Sequence, residues 1–267
     1  MRFRRLVLMG AVIAVSACGA TASEKSAVKS CSDESSKGSV VVLAASSMAN
    51  AFADFHKQFL VEHPCVTNVT YSYGSSATLA VQIVNGSPAD VFVSASEKTM
   101  KTVIDSGRSV NTTLFARNSA EIMVNKASRF SSNIINVSEL TKSSNPGIKV
   151  GLCVATAPCG ALADTILEQA GISRRAVADT ESPSVEDLVS KIEMGELDAG
   201  IVYHSDCVYA QKQKRSQCIP IADDVNSNNG YYIAALNTRK VSQQFVDFIS
   251  SPTFTTALQS QYGFLAP

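Results

Sequence analysis

Four short segments of this chain set serines, or a proline-led turn, where a strand passes into a helix. They read Ala45-Ser46-Ser47-Met48-Ala49-Asn50, Tyr73-Gly74-Ser75-Ser76-Ala77-Thr78, Ala157-Pro158-Cys159-Gly160 and Ser182-Pro183-Ser184-Val185-Glu186-Asp187. The first turn of a helix leaves N–H groups without intrahelical partners and carries a partial positive charge, so it favours an anion. A serine hydroxyl at such an end adds one more donor. Several ends brought together would bind an oxyanion without any charged side chain. Taken singly, each segment has an ordinary explanation. Ser47, Ser76 and Ser184 stand where N-caps stand, and Ser184 with Asp187 forms an S-x-x-D capping signature.

Catalytic chemistry finds less in the sequence. A serine hydrolase needs G-x-S-x-G at a strand-to-helix elbow, and Gly74-Ser75-Ser76-Ala77-Thr78 lacks the second glycine. No G-x-x-x-x-G-K-[ST] or G-x-G-x-x-G occurs, which leaves nucleotide hydrolysis and dinucleotide binding without support. The three histidines and the scattered carboxylates show no metal-ligand spacing. His56 and His63 read as surface residues of a helix, and His204 as a solvated cap. The expectation is a binding protein with no catalytic residue, no cofactor and no bare metal ion.

The elements that must position those segments alternate along the chain. Val40-Val41-Val42-Leu43-Ala44 is a continuous apolar run, as in a strand covered on both faces. Met48 to Glu62 follows with helical spacing, Phe52, Phe55, Phe59 and Leu60 sharing a face. Further strands are read at Val69–Tyr73, Ala89–Ser94, Ile148–Leu152, Gly200–Tyr203 and Tyr231–Leu236. Further helices are read at Ala77–Val84, Ala161–Ala170, Val185–Met194 and Gln243–Ile249. This alternation predicts an α/β fold with parallel sheets, in which ligands bind beyond the carboxyl ends of the strands.

The N-terminus places the chain outside the cytoplasm. Arg2, Arg4 and Arg5 precede a short apolar run from Leu6 to Val15, and Val15-Ser16-Ala17-Cys18 ends it. The run is far below the ~20 residues of a spanning helix and has the order of a secretory signal. With cysteine at the first mature position, residues 1–17 resemble a bacterial lipoprotein signal, lipidated on Cys18. The Ser-rich residues 18–38 read as a flexible tether. Of the 7 cysteines, six remain after Cys18, an even set that reads as a disulfide framework in an exported chain. The pairs nearest in sequence are Cys153–Cys159 and Cys207–Cys218, which leaves Cys31–Cys65. No C-x-x-C redox motif occurs. Hydrophobic residues make up 45% and charged residues 17%, enough to bury a core. Without the three arginines of the signal, 20 basic side chains face 23 acidic ones, a net of −3. That balance, with no basic stripe interleaved with aromatics, argues against nucleic acid. The N-x-S/T triplets at Asn68, Asn111 and Asn136 carry no weight in a bacterial chain.

Longer stretches then become informative. Ala44-Ala45-Ser46-Ser47-Met48-Ala49-Asn50-Ala51, Gly74-Ser75-Ser76-Ala77-Thr78-Leu79-Ala80-Val81-Gln82-Ile83 and Gly86-Ser87-Pro88-Ala89-Asp90-Val91-Phe92-Val93-Ser94-Ala95 are similar to the molybdate-binding proteins of bacterial ABC uptake systems. Gly200-Ile201-Val202-Tyr203-His204-Ser205-Asp206 and the terminal Tyr262-Gly263-Phe264 are similar as well. The resemblance runs from about Val40 to Phe264. It implies a two-lobed periplasmic-binding-protein (type II) fold with two crossover strands, lobe 1 being 39–118 plus 228–267 and lobe 2 being 119–227. It implies hydroxyl and backbone donors at Ser47 and Ser76, backbone donors at Cys159 and Val185, and the hydroxyl of Tyr203, closing on one tetrahedral anion. Molybdenum would be held as molybdate, with tungstate as its close analogue. The implied partners are the permease and ATPase of an ABC importer, with the membrane reached only through the lipid on Cys18 and the protein working as a monomer. Hydroxyl and amide donors favour a fully deprotonated anion, since the proton of phosphate needs an acceptor. Sulfate or phosphate remain the alternative ligands, and an exported serine hydrolase the alternative of another class.

Overall fold

The computed structural model describes residues 31–109 and 111–267. The expected signal peptide, the lipidation at Cys18 and most of the expected tether lie outside the described residues. The first unit runs β1 (Gly38–Ala45), α1 (Ala49–Glu62), β2 (Val66–Gly74), α2 (Ser76–Val84), β3 (Val91–Ser94) and α3 (Glu97–Asp105). A long strand, β4 (Thr113–Asn125), leads to β5 (Val150–Cys153), α4 (Pro158–Gln169), a single turn α5 (Arg174–Val177), β6 (Thr180–Ser182) and α6 (Val185–Glu193). Then come β7 (Ala199–Tyr203), α7 (His204–Gln213) and β8 (Ser216–Pro220). The chain closes with β9 (Asn228–Ala235), α8 (Lys240–Ile249) and α9 (Pro252–Tyr262).

The strands form one continuous path, β2-β1-β3-β9-β4-β7-β5-β6, with β8 beside β4. β1 pairs in parallel with β2 and β3, and β5 in parallel with β6 and β7. The antiparallel strands are the ones that cross. β9 pairs with β3 and with Thr113–Ser119 of β4, while Ala120–Asn125 of β4 pair with β7 and β8. β4 escaped the sequence reading because its apolar pattern breaks at Arg117-Asn118-Ser119, the point where it changes partner.

Each half of the path has its own core. Along β1, alternate side chains face opposite ways. Val40, Val42 and Ala44 meet Phe52 and Phe59 of α1, Phe245 of α8 and Phe254 of α9. Leu43 points to the other face, with Leu79 and Ile83 of α2 and Met100 and Val103 of α3. That two-sided burial explains the unbroken apolar run. Truncating a wholly enclosed phenylalanine such as Phe52 would cost about 3–5 kcal/mol. The second core joins β5 and β7 to Leu162 and Ile166 of α4 and Leu188 and Ile192 of α6.

Three disulfides link Cys31–Cys65, Cys153–Cys159 and Cys207–Cys218. Asp90, of the Pro-Ala-Asp-Val-Phe segment, is a structural latch. Its buried carboxylate accepts from the Val41 N–H at 2.8 Å, Asn237 Nδ2 at 2.7 Å and Arg239 Nη1 at 2.8 Å, tying β1 to the connection between β9 and α8. Among the described residues no helix is long and apolar enough to cross a membrane.

Candidate oxyanion site

The carboxyl ends of β1, β2, β5 and β6 each deliver a helix start to one narrow cleft between the two cores. Ser47, Ser76, Cys159, Val185 and Tyr203 all line it. All five are buried, the most open being Ser47 at 9%. None of the residues lining the cleft is charged. A larger hollow at the opposite end of the second half, lined by Lys126, Arg129 and Arg215, contains none of these residues.

Local sequence explains how each donor is set. At α4, Pro158 occupies the first turn, where a missing N–H is harmless, and Cys159 is bonded to Cys153 at the end of β5. A Cβ on Gly160 would lie 2.0 Å from the Val154 carbonyl oxygen, so only glycine lets this helix start pack onto the strand end. At α6, Ser184 caps the helix and accepts from the Asp187 N–H at 3.3 Å, leaving the N–H groups of the first turn toward the cleft.

Ser47 and Ser76 are not the caps that the sequence suggested. Ser47 lies within a 3-10 turn, Ser46–Met48, and α1 begins after Met48. Ser75 precedes α2, and Ser76 is its first residue. Neither hydroxyl caps its helix, because each is committed elsewhere. Ser76 Oγ accepts from the Ala95 N–H at 3.0 Å. Ser47 Oγ shares a 2.7 Å hydrogen bond with Tyr231 Oη.

Tyr203 ends β7. Burial holds its hydroxyl well above the ordinary tyrosine range, so it stays protonated. Asn229 Nδ2 donates to its oxygen at 3.0 Å. The Tyr203 N–H donates to Asp206 at 3.2 Å, and burial pushes the Asp206 carboxyl up to about 7. Ser205 Oγ accepts from Asn118 Nδ2 at 2.7 Å, on β4. Sequence reasoning missed Asn118, Asn229 and Tyr231. They sit on the crossing strands, and nothing short of the pairing pattern brings them behind the cleft.

The histidines stand apart from the site. His56 and His63 are half-buried rather than superficial, beside Tyr71 and Phe59. His204 Nδ1 lies 2.8 Å from Glu121, which raises its pKa. Among the described residues one group, Glu121 with Cys207 and Cys218, gathers ligand-type atoms, but both sulfurs are used in a disulfide.

An uncharged cleft of helix ends and hydroxyls is suited to hold a small oxyanion, and comparison with known proteins agrees with that chemistry. A family model described as bacterial extracellular solute-binding protein matches residues 40–265. The molybdate-binding protein ModA of Mycobacterium tuberculosis is 32% identical over 233 residues, covering 86% of this chain and 85% of that protein. ModA of Escherichia coli is 30% identical over 241 residues, covering 85% and 89%. The Azotobacter vinelandii periplasmic molybdate-binding protein shares the fold, with a TM-score of 0.72 at 19% identity over 85% of this chain and 99% of that one. The two-lobed α/β architecture with two crossing strands is thus the type II periplasmic-binding-protein fold. Such proteins bind a solute without turning it over and need no cofactor. With a family match spanning nearly the whole of both cores, this chain belongs to the bacterial extracellular solute-binding proteins.

Proposed function

We propose that this protein captures molybdate, and also tungstate, outside the cytoplasm and hands it to the permease and ATPase of an ABC importer. The observation that carries the reading is the convergence of four helix starts on one uncharged cleft. Ser47 and Ser76 would each give a hydroxyl and a backbone N–H, Cys159 and Val185 a backbone N–H, and Tyr203 its hydroxyl. A tetrahedral dianion is matched by donors and helix ends alone, and relatives of 30% identity and above carry molybdate in their names. Ser47 and Ser76 belong to the proposed lobe 1, 39–118 plus 228–267, and the other three to the proposed lobe 2, 119–227. The lobes close on the anion about β4 and β9, and the protein acts as a monomer held to the membrane by lipid on Cys18.

A thermal-shift panel with molybdate, tungstate, sulfate and phosphate tests the ligand, because a molecule that binds only the native state raises the melting temperature. Molybdate and tungstate should give the largest shifts, and a larger shift with sulfate would reject the ligand assignment. For the anchor, Cys18→Ser should move the protein from the membrane fraction to the soluble one, and membrane residence that persists would reject the lipid tether.

A further inference from the structure

Two of the four helix starts carry serines in pairs, Ser46-Ser47 before α1 and Ser75-Ser76 at α2. The second serine of each pair is held by the protein. Ser47 Oγ is 2.7 Å from Tyr231 Oη, and Ser76 Oγ accepts from the Ala95 N–H at 3.0 Å. The first serine of each pair is not held. Neither Ser46 Oγ nor Ser75 Oγ has a hydrogen-bond partner among the described residues. Ser75 stands at the N-cap of α2, yet its side chain makes no capping bond.

Both residues are nevertheless buried, Ser46 at 6% and Ser75 at 9% exposure, and both line the cleft. A hydroxyl withdrawn from bulk water costs stability unless it finds a partner. Neither oxygen is sealed inside the core, so each opens to the cleft that its residue lines. The turn Ser46–Met48 meets α6 of the other half, which puts Ser46 within the joint rather than on a free rim. The partner that these two hydroxyls lack is therefore one that enters the cleft. An oxyanion offers acceptors alone, and a hydroxyl with no other bond can give its hydrogen to it.

We infer that Ser46 and Ser75 are further binding residues, whose hydroxyls donate to the bound anion beside those of Ser47 and Ser76. The inference rests on the oxyanion reading of the cleft. Its consequence is a signature that the second serines do not share. Removing the Ser46 or Ser75 hydroxyl breaks no bond within the protein, so the ligand-free fold loses nothing and the whole effect falls on binding. Removing the Ser47 or Ser76 hydroxyl breaks a bond within the protein as well.

Ser46→Ala and Ser75→Ala test this, with molybdate affinity read by calorimetry and the ligand-free protein melted in parallel. Each variant should bind molybdate about tenfold more weakly, the loss of one hydrogen bond to a charged ligand, while its ligand-free melting temperature does not fall. A crystal structure of the wild type with tungstate, whose heavy atom marks the anion, should place Ser46 Oγ and Ser75 Oγ within hydrogen-bond distance of its oxygens. Wild-type affinity in either variant overturns the assignment of that serine. Weaker binding accompanied by a lower ligand-free melting temperature, or a tungstate that neither hydroxyl reaches, overturns the inference and leaves the oxyanion reading standing. Wild-type protein that binds none of molybdate, tungstate and sulfate overturns that reading and the inference with it.

Discussion

The serines at the helix starts do their work through protons rather than through caps. Ser76 Oγ accepts from the Ala95 amide with its own hydrogen still to give, and Ser47 Oγ shares a hydrogen bond with Tyr231 Oη. Ser47→Ala and Ser76→Ala should therefore each weaken molybdate binding by about 1.5–3 kcal/mol, the scale of a hydrogen bond to a charged group. Tyr203→Phe should cost less, since a water can replace the hydroxyl. Isothermal titration of the three variants checks this, and affinity unchanged in all three would place the pocket elsewhere. Neither serine caps its helix, but losing the hydroxyl leaves the buried Ala95 N–H or Tyr231 hydroxyl without that partner, so each serine variant should also lose about 1–3 kcal/mol of stability. The residue types were legible in the sequence, as hydroxyls at strand-to-helix junctions, but their bonding was not. A cap is a local contact, whereas Tyr231 is 184 residues away from Ser47.

Helix starts bind anions only as well as they are held in place. The Cys153–Cys159 bond and Gly160 fix the first turn of α4 against the end of β5. Fixing a donor in advance removes an ordering cost at binding. The Cys153→Ser/Cys159→Ser double variant should fold, melt at a lower temperature and bind the anion more weakly. Equal affinity in calorimetry would mean that the turn is rigid without the crosslink. At the start of α7, Asp206 contributes a pH dependence. Its folded carboxyl is raised by burial from 3.8 to about 7, so the native state holds its proton where the unfolded chain has lost it. Stability from this group is thus greatest at low pH and declines as pH rises from about 4 to about 7. Asp206→Asn should leave the melting temperature near wild type at pH 4 and raise it relative to wild type at pH 7 and above. A difference that does not change with pH would contradict the shift. Most of the parallel strands and their helices were readable from apolar runs and periodicity. β4 was not, because a strand that serves two sheets carries polar residues such as Asn118 where it passes between them.

At the scale of the whole molecule, two separately packed cores are joined by β4 and β9, and the donors that converge come from both. The buried side chains Asn118 and Tyr231 lie on those crossing strands, so the joint and the site share one hydrogen-bonded network. Motion of one half against the other would then change the site geometry directly. The two-lobed plan was legible only through resemblance across scattered segments, since composition and periodicity do not say where one core ends and the next begins. Anion choice was less legible still, because molybdate and sulfate carry the same charge and shape and differ in size, a property of the assembled cleft. The central claim is that this cleft binds one molybdate through uncharged donors. Isothermal titration of the wild-type protein with molybdate, set beside the Ser47→Ala/Ser76→Ala double variant, tests it most directly. The account predicts one anion per chain in the wild type, sulfate bound more weakly, and a large loss of affinity in the double variant. Sulfate bound as tightly as molybdate, or a double variant that titrates like the wild type, would contradict it.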